Sequence, residues 1–187
     1  MKQTLIQTKL QIIFSAILLI ICINGCLNPF APKIEQSSDL EFLITEQTTP
    51  DEVLTNFKLA YLFRDSILYS DIIDSSFTFY YFDTDIDAAG IPLHWDRDTD
   101  LRTTGRIFRT FDIINLIWES TIFTDTLDWD ENQEANKIDL IKRFSLNLMQ
   151  TTESLSFDLW GKASFTFERS PYDDRWRITR WTDESFN

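Results

Sequence analysis

The sequence predicts an α+β domain in which N-terminal helices lie over one antiparallel sheet. Three observations carry this. A capping box with helical apolar spacing opens the folded region, aromatic and aliphatic residues alternate with polar ones through most of residues 112–181, and no internal repeat divides the chain.

The elements follow in order. Thr49-Pro50-Asp51-Glu52 is a capping box with proline in the first helical position. Val53, Phe57, Ala60/Tyr61, Arg64 and Leu68 then recur at helical spacing, with Leu54 widening the apolar side, so one helix is expected over 50–69. A short helical turn is expected over Ser70–Ser75, and residues 77–82 (FTFYYF) form a strand apolar on both faces. Asp83–Thr99, with its aspartates, Gly90 and Pro92, reads as a loop. A third helix, capped by Asp98, Thr99 or Asp100, runs to about Arg109 with Leu101, Thr104/Gly105, Phe108 and Phe111 on its apolar side.

Strands dominate from there. Over 112–123, Ile114, Leu116, Trp118 and Ile122 share one face; over 138–148, Ile138, Leu140, Phe144, Leu146 and Leu148 share a face with Lys142. Residues 155–168 alternate most regularly, with Phe157, Leu159, Gly161, Ala163, Phe165 and Phe167 on one side and Asp158, Trp160 and Lys162 on the other. A turn over Ser170–Asp174 leads to the last strand, Trp176–Trp181, where Arg180 is expected on the face of Trp176 and Ile178.

Ahead of the domain, Lys2 and Lys9 flank no acid, and an apolar run extends from Ile12 to Ile23. That run is shorter than the roughly 20 residues a membrane span needs, which makes residues 1–25 a secretory leader. Ile23-Asn24-Gly25-Cys26 resembles the lipobox of bacterial lipoproteins, with Asn24 where that pattern has a small residue. The resemblance implies cleavage before Cys26 and acylation of its thiol. More than one chain is needed because each buried methylene contributes about 0.8 kcal/mol and a single chain holds only reversibly. Leu27, where Asp would favour retention in the inner membrane, points to the outer membrane if the host has two. The chain then divides into a leader over 1–25, a lipid-anchored tether over 26–48 that includes the proline-bearing Leu27–Ser38, and one domain over 49–187.

Composition narrows the chemistry. The whole chain carries a formal charge of −13; without residues 1–25 it has 15 Lys+Arg against 30 Asp+Glu, a charge of −15. Such a domain repels phosphate backbones, so nucleic acid is not an expected partner. Cys22 leaves with the leader and Cys26 is taken by lipid, which leaves no thiol for catalysis, disulfides or zinc. His94 is the sole histidine and no phosphate-binding glycine loop occurs, so neither cofactor nor metal is expected. Asp83-Thr84-Asp85-Ile86-Asp87 begins like a calcium loop, but Ala88 and His94 stand where Gly and Glu are needed. Asp128–Asn132 reads as a solvated turn.

The order of elements, with the closing Trp176–Asp183, resembles the cone-shaped group of nuclear transport factor and ketosteroid isomerase. The resemblance covers roughly 48–183 and implies a strongly curved sheet wrapped on helices, with a pocket at the wide end. Tyr61, Trp118, Lys142, Asp158, Trp160 and Arg180 are the residues that such a pocket would gather. The group hosts enzymes, binders and pure interaction domains, so the fold does not choose among them. The leading expectation is a non-enzymatic, lipid-anchored interaction or scaffold domain of the cell envelope that meets an envelope protein. The alternative is a binder of a small apolar ligand, with an isomerase- or hydrolase-type enzyme behind it. A homodimer through the open sheet face is a further expectation.

Overall fold

In the computed structural model, residues 43–83 and 91–186 are described, and they carry three helices and six strands. The leader and Cys26 lie outside the described residues. Helix α1 spans Pro50–Phe63, its Thr49 hydroxyl accepting from the Glu52 N–H as a cap. The expected single helix over 50–69 breaks at Arg64, which takes the left-handed conformation (φ 56°) while Asp65 N–H turns back to Ala60 O at 2.8 Å. Asp65 then caps a second helix, α2 (Ser66–Ile72), by accepting from the Ile67 and Leu68 N–H groups, so the turn expected at 70–75 is displaced.

Strand β1 spans Ile73–Asp83 and β2 spans Ile91–Asp96. The expected loop over 83–99 therefore contains a strand. Leu93 and Trp95 are half-buried while His94 is exposed, the period-two pattern of a sheet with one covered face. Pro92 fits because β2 is an edge strand, where a missing N–H need not interrupt a ladder. Helix α3 (Arg97–Thr110) starts earlier than expected, capped by Asp96. Strands β3 (Ile113–Trp129), β4 (Ala135–Gln150), β5 (Leu155–Arg169) and β6 (Trp176–Phe186) complete the order.

The sheet runs β2-β1-β6-β5-β4-β3. Four of its five pairings are antiparallel as expected; β1 and β6 pair in parallel, so the sheet is mixed. Register shifts interrupt β3–β4 at four places and β5–β6 at one, and bulges of this kind bend and twist the strands that carry them. Helices and curled sheet enclose a single core of α1, α2, α3 and the inner faces of β1, β3, β4, β5 and β6. On β5 the alternation holds: Gly161, Ala163, Phe165 and Phe167 are buried and their neighbours are not.

Bulges also correct two side-chain assignments. Thr179 is an extra residue between the pairs Phe167–Ile178 and Thr166–Arg180, so the parity flips: Arg180 turns outward and Trp181 inward. Beyond Trp118, extra residues in β3 remove Ile122 from the face of Ile114 and Leu116 and leave it exposed.

The segment before α1 is latched to the domain. Asn56, fully buried on α1, accepts from Thr45 N–H at 2.8 Å and donates to Thr45 O at 3.0 Å. Gln47, also buried, accepts from Trp176 N–H through its carbonyl and donates its amide to Asp71 Oδ2. Arg175 bridges the same carboxylate.

Candidate functional site

The helix-facing side of the sheet is occupied by rings. Phe57 sits at the centre, with Tyr61, Tyr69, Trp118, Phe165 and Trp181 at centroid distances between 4.9 and 6.1 Å. Trp181 continues to Phe79 at 4.8 Å, and Trp95 stacks on Phe79 at 4.4 Å. Tyr61 and Tyr69 both meet the edge of Phe108 from α3. Edge-to-face pairs of this kind contribute about 0.5–1.5 kcal/mol each beyond the area they bury.

Within this cluster one carboxylate is buried. Asp100, on the first turn of α3 and 2% exposed, accepts from the Tyr69 hydroxyl at 2.7 Å and from the Trp95 indole N–H at 3.0 Å. Burial raises its pKa above the ordinary aspartate range, while the two donors pull it back. The Tyr69 and Tyr61 hydroxyls are pushed up, first by burial and then by the Asp100 charge. Both carboxylate oxygens thus have partners, as a buried polar group requires. The Trp181 indole N–H, by contrast, is buried and meets no acceptor among the described residues.

Sequence reasoning took Asp100 only as a capping candidate and missed Tyr69. The signal was present: Asp100, Thr104 and Phe108 are spaced by four, which puts the acid on the buried face of α3.

The six residues expected to line a pocket are placed on opposite sides of the sheet. Tyr61 is in the ring cluster, and Trp118 borders it, its indole N–H donating to Leu54 O at 2.9 Å. Lys142 lies nearby with its ammonium on Thr121 Oγ1 at 3.2 Å and Asp51 Oδ1 at 3.4 Å. Asp158, Trp160 and Arg180 face away from the helices. Asp158 accepts from the Asn147 amide at 2.7 Å, Trp160 is exposed, and the Arg180 guanidinium covers the Tyr80 ring at 4.2 Å. The two groups of three do not converge. His94 also lies on the outer side, against Tyr80 at 5.4 Å.

Surface depressions among the described residues include four of roughly 320–500 Å³, one of them beside Trp160 and one beside Arg180. None of the four is lined by Phe57, Tyr61, Tyr69, Trp118, Phe165 or Trp181. Among the described residues no group of three or more His, Cys, Asp or Glu has the geometry to hold a metal ion. No described helix is long and apolar enough to cross a membrane. Of the segment expected as a turn over Asp128–Asn132, Asp128 and Trp129 close β3 and the turn itself follows, with Asp130 accepting from the Asn132 and Glu134 N–H groups; residues 84–90 lie outside the described residues.

No protein-family model matches the chain, and no curated protein sequence matches it. Solved structures do match by shape. A candidate scytalone dehydratase from Novosphingobium aromaticivorans superposes with a TM-score of 0.60 at 10% identity, over 81% of this chain and 89% of that one. A conserved protein from Planctomyces limnophilus gives 0.55 at 14% identity, over 73% and 92%. A cystatin-like protein from Caulobacter vibrioides gives 0.52 at 9% identity, over 73% and 87%. At such identities the likeness establishes the fold: the chain has the cystatin-like cone, as the order of elements predicts.

Proposed function

We propose that this chain is a lipid-tethered interaction module of the cell envelope, held to the membrane by acylated Cys26, whose cone serves as a rigid body and not as a vessel. One observation carries the reading: Phe57 and the five rings around it pack on one another at centroid distances of 4.9–6.1 Å on the helix-facing side of the sheet. The buried Asp100 supports it, since a carboxylate engaged by Tyr69 and Trp95 is already paired with the protein. The bonds that hold Thr45 and Gln47 to α1, α2 and β6 fix the residues just ahead of α1, as a module pulled by a tether needs.

Two measurements test the two halves. Fatty-acid labelling of cells is expected to mark the wild-type protein and to fail on Cys26→Ser; equal label on both removes the anchor. Calorimetry with indole and benzene is expected to give no saturable heat, and stoichiometric micromolar binding removes the rigid-body half.

A second reading, a small-ligand binder, draws on the Trp181 indole N–H, which meets no acceptor among the described residues. A buried donor without an acceptor costs about 1–3 kcal/mol, and the oxygen of an apolar ligand would answer it. On that reading Trp181→Phe lowers the affinity for a cyclic ketone probe without lowering stability.

A further inference from the structure

We infer that the outer edge of β3 is the docking strip of this module, and that it receives an extended partner segment alternating aliphatic and basic side chains. The inference deepens the interaction-module reading and rests on it.

Strand β3 ends the sheet, and no strand of the described residues lies beyond it. Its first half is ordinary: Ile114 and Leu116 are buried between exposed neighbours. Past Trp118 the pattern stops, and from Glu119 to Trp129 only Thr126 is even half-buried. Ile122, Phe123, Leu127 and Trp129 are each 46–56% exposed along this stretch. A strand with an open backbone edge and apolar side chains on show is a template for strand addition.

Charge decides what is added. No lysine or arginine occurs from Thr110 to Asn136, while seven carboxylates do. Among them Glu119, Asp125 and Asp128 make no ion pair among the described residues. Asp125 lies directly opposite Asp139 in register, a like-charge pair that costs stability where it stands. The cation nearest along that row is Arg180, two strands beyond Asp139, and it is turned over Tyr80. Asp128 has Lys137 opposite it in register, though that lysine pairs with Glu168, so it is Asp125 above all that an incoming lysine or arginine would neutralise. A second copy of this chain would bring another acidic edge without lysine or arginine against the first, and like charges across the new pair would oppose it. The partner is therefore basic and different from this chain.

The test uses the full chain, a synthetic peptide alternating lysine and valine, and its counterpart with glutamate for lysine. The lysine peptide is expected to bind by calorimetry at low salt, weaken at high salt, and protect amides of Glu119–Trp129 from hydrogen exchange. The glutamate peptide is expected not to bind. Asp125→Lys with Asp128→Lys should weaken the lysine peptide by about tenfold or more, and Phe123→Ser should weaken it while leaving the salt dependence intact. Protection at β2 or on the outer face of β5, equal binding of both peptides, or an unaffected double variant overturns the assignment. Absence of binding overturns it too. That failure is separable from failure of the module reading, which falls with equal fatty-acid label on wild type and Cys26→Ser or with a ligand inside the cone.

Discussion

The two halves of β3 differ in what covers them. Residues 113–118 lie against α1 and the ring cluster, and their alternation of sides is converted into burial of Ile114 and Leu116. Residues 119–129 are less apolar, with four apolar side chains among eleven residues against five among six, and those four, Ile122, Phe123, Leu127 and Trp129, stay exposed. Apolar residues in a strand thus stabilise the fold only where another layer closes over them. Where none does, the same residues become a surface for something else.

The contrast is broken most severely at two phenylalanines. Phe57, 1% exposed and central to the rings, should lose about 3–5 kcal/mol on Phe57→Ala, because the surrounding rings cannot collapse fully into the gap. Phe123→Ala on the uncovered arm should stay within about 0.5 kcal/mol. Urea denaturation of the two variants measures both, and comparable losses would mean that the arm is covered in solution.

Next come the amides. Asn56→Ala removes three bonds with Thr45 from a buried site and is expected to cost about 1–3 kcal/mol. Asn132→Ala, in the exposed turn after β3, should change stability by less than about 0.5 kcal/mol. Thermal unfolding of the pair ranks them.

The smallest effects separate by pH, and with opposite signs. The pKa of Asp100 is raised by burial, so its contribution is fully present below the unfolded value of about 3.9 and is lost as pH rises through the folded value. The pKa of Asp173 is lowered by its bonds from Arg177, so its contribution is present above about 3.9 and is lost as pH falls through the lower folded value. The stability gap between wild type and Asp100→Asn should therefore narrow as pH rises from about 4, and that of Asp173→Asn should narrow as pH falls below about 4. The Asp173 effect is the weaker, because that pair is partly exposed and screened.

These contrasts also mark how much was legible in the sequence. The capping box at Thr49, the period-two faces of β5 and the layering of helices on a sheet follow from local chemistry and are recovered directly. What escapes depends on single extra residues or on long-range partners. Thr179 shifts the parity of β6 and exchanges the places of Arg180 and Trp181, and no composition or spacing around it announces a bulge. Arg64 ends α1 in a conformation usually given to glycine. Strand β2 contains a proline and follows an aspartate-rich segment, and only its position at the sheet edge makes it a strand. Of the expected pocket residues, Tyr61, Trp118 and Lys142 are on the helix side because their strand or helix faces are regular there. Asp158 and Trp160 are on the outer side, as the alternation of β5 requires. Asp100 was hidden because an acid near a helix start has an adequate explanation as a cap, although its spacing to Thr104 and Phe108 points inward.

Whether the cone is filled by its own rings is decided most directly by crystals pressurised with xenon, which enters apolar cavities of the size left by one deleted ring. Wild-type crystals are expected to show no xenon among Phe57, Trp118, Phe165 and Trp181, and Phe57→Ala crystals are expected to show it there. Xenon bound among those rings in the wild type would contradict the account.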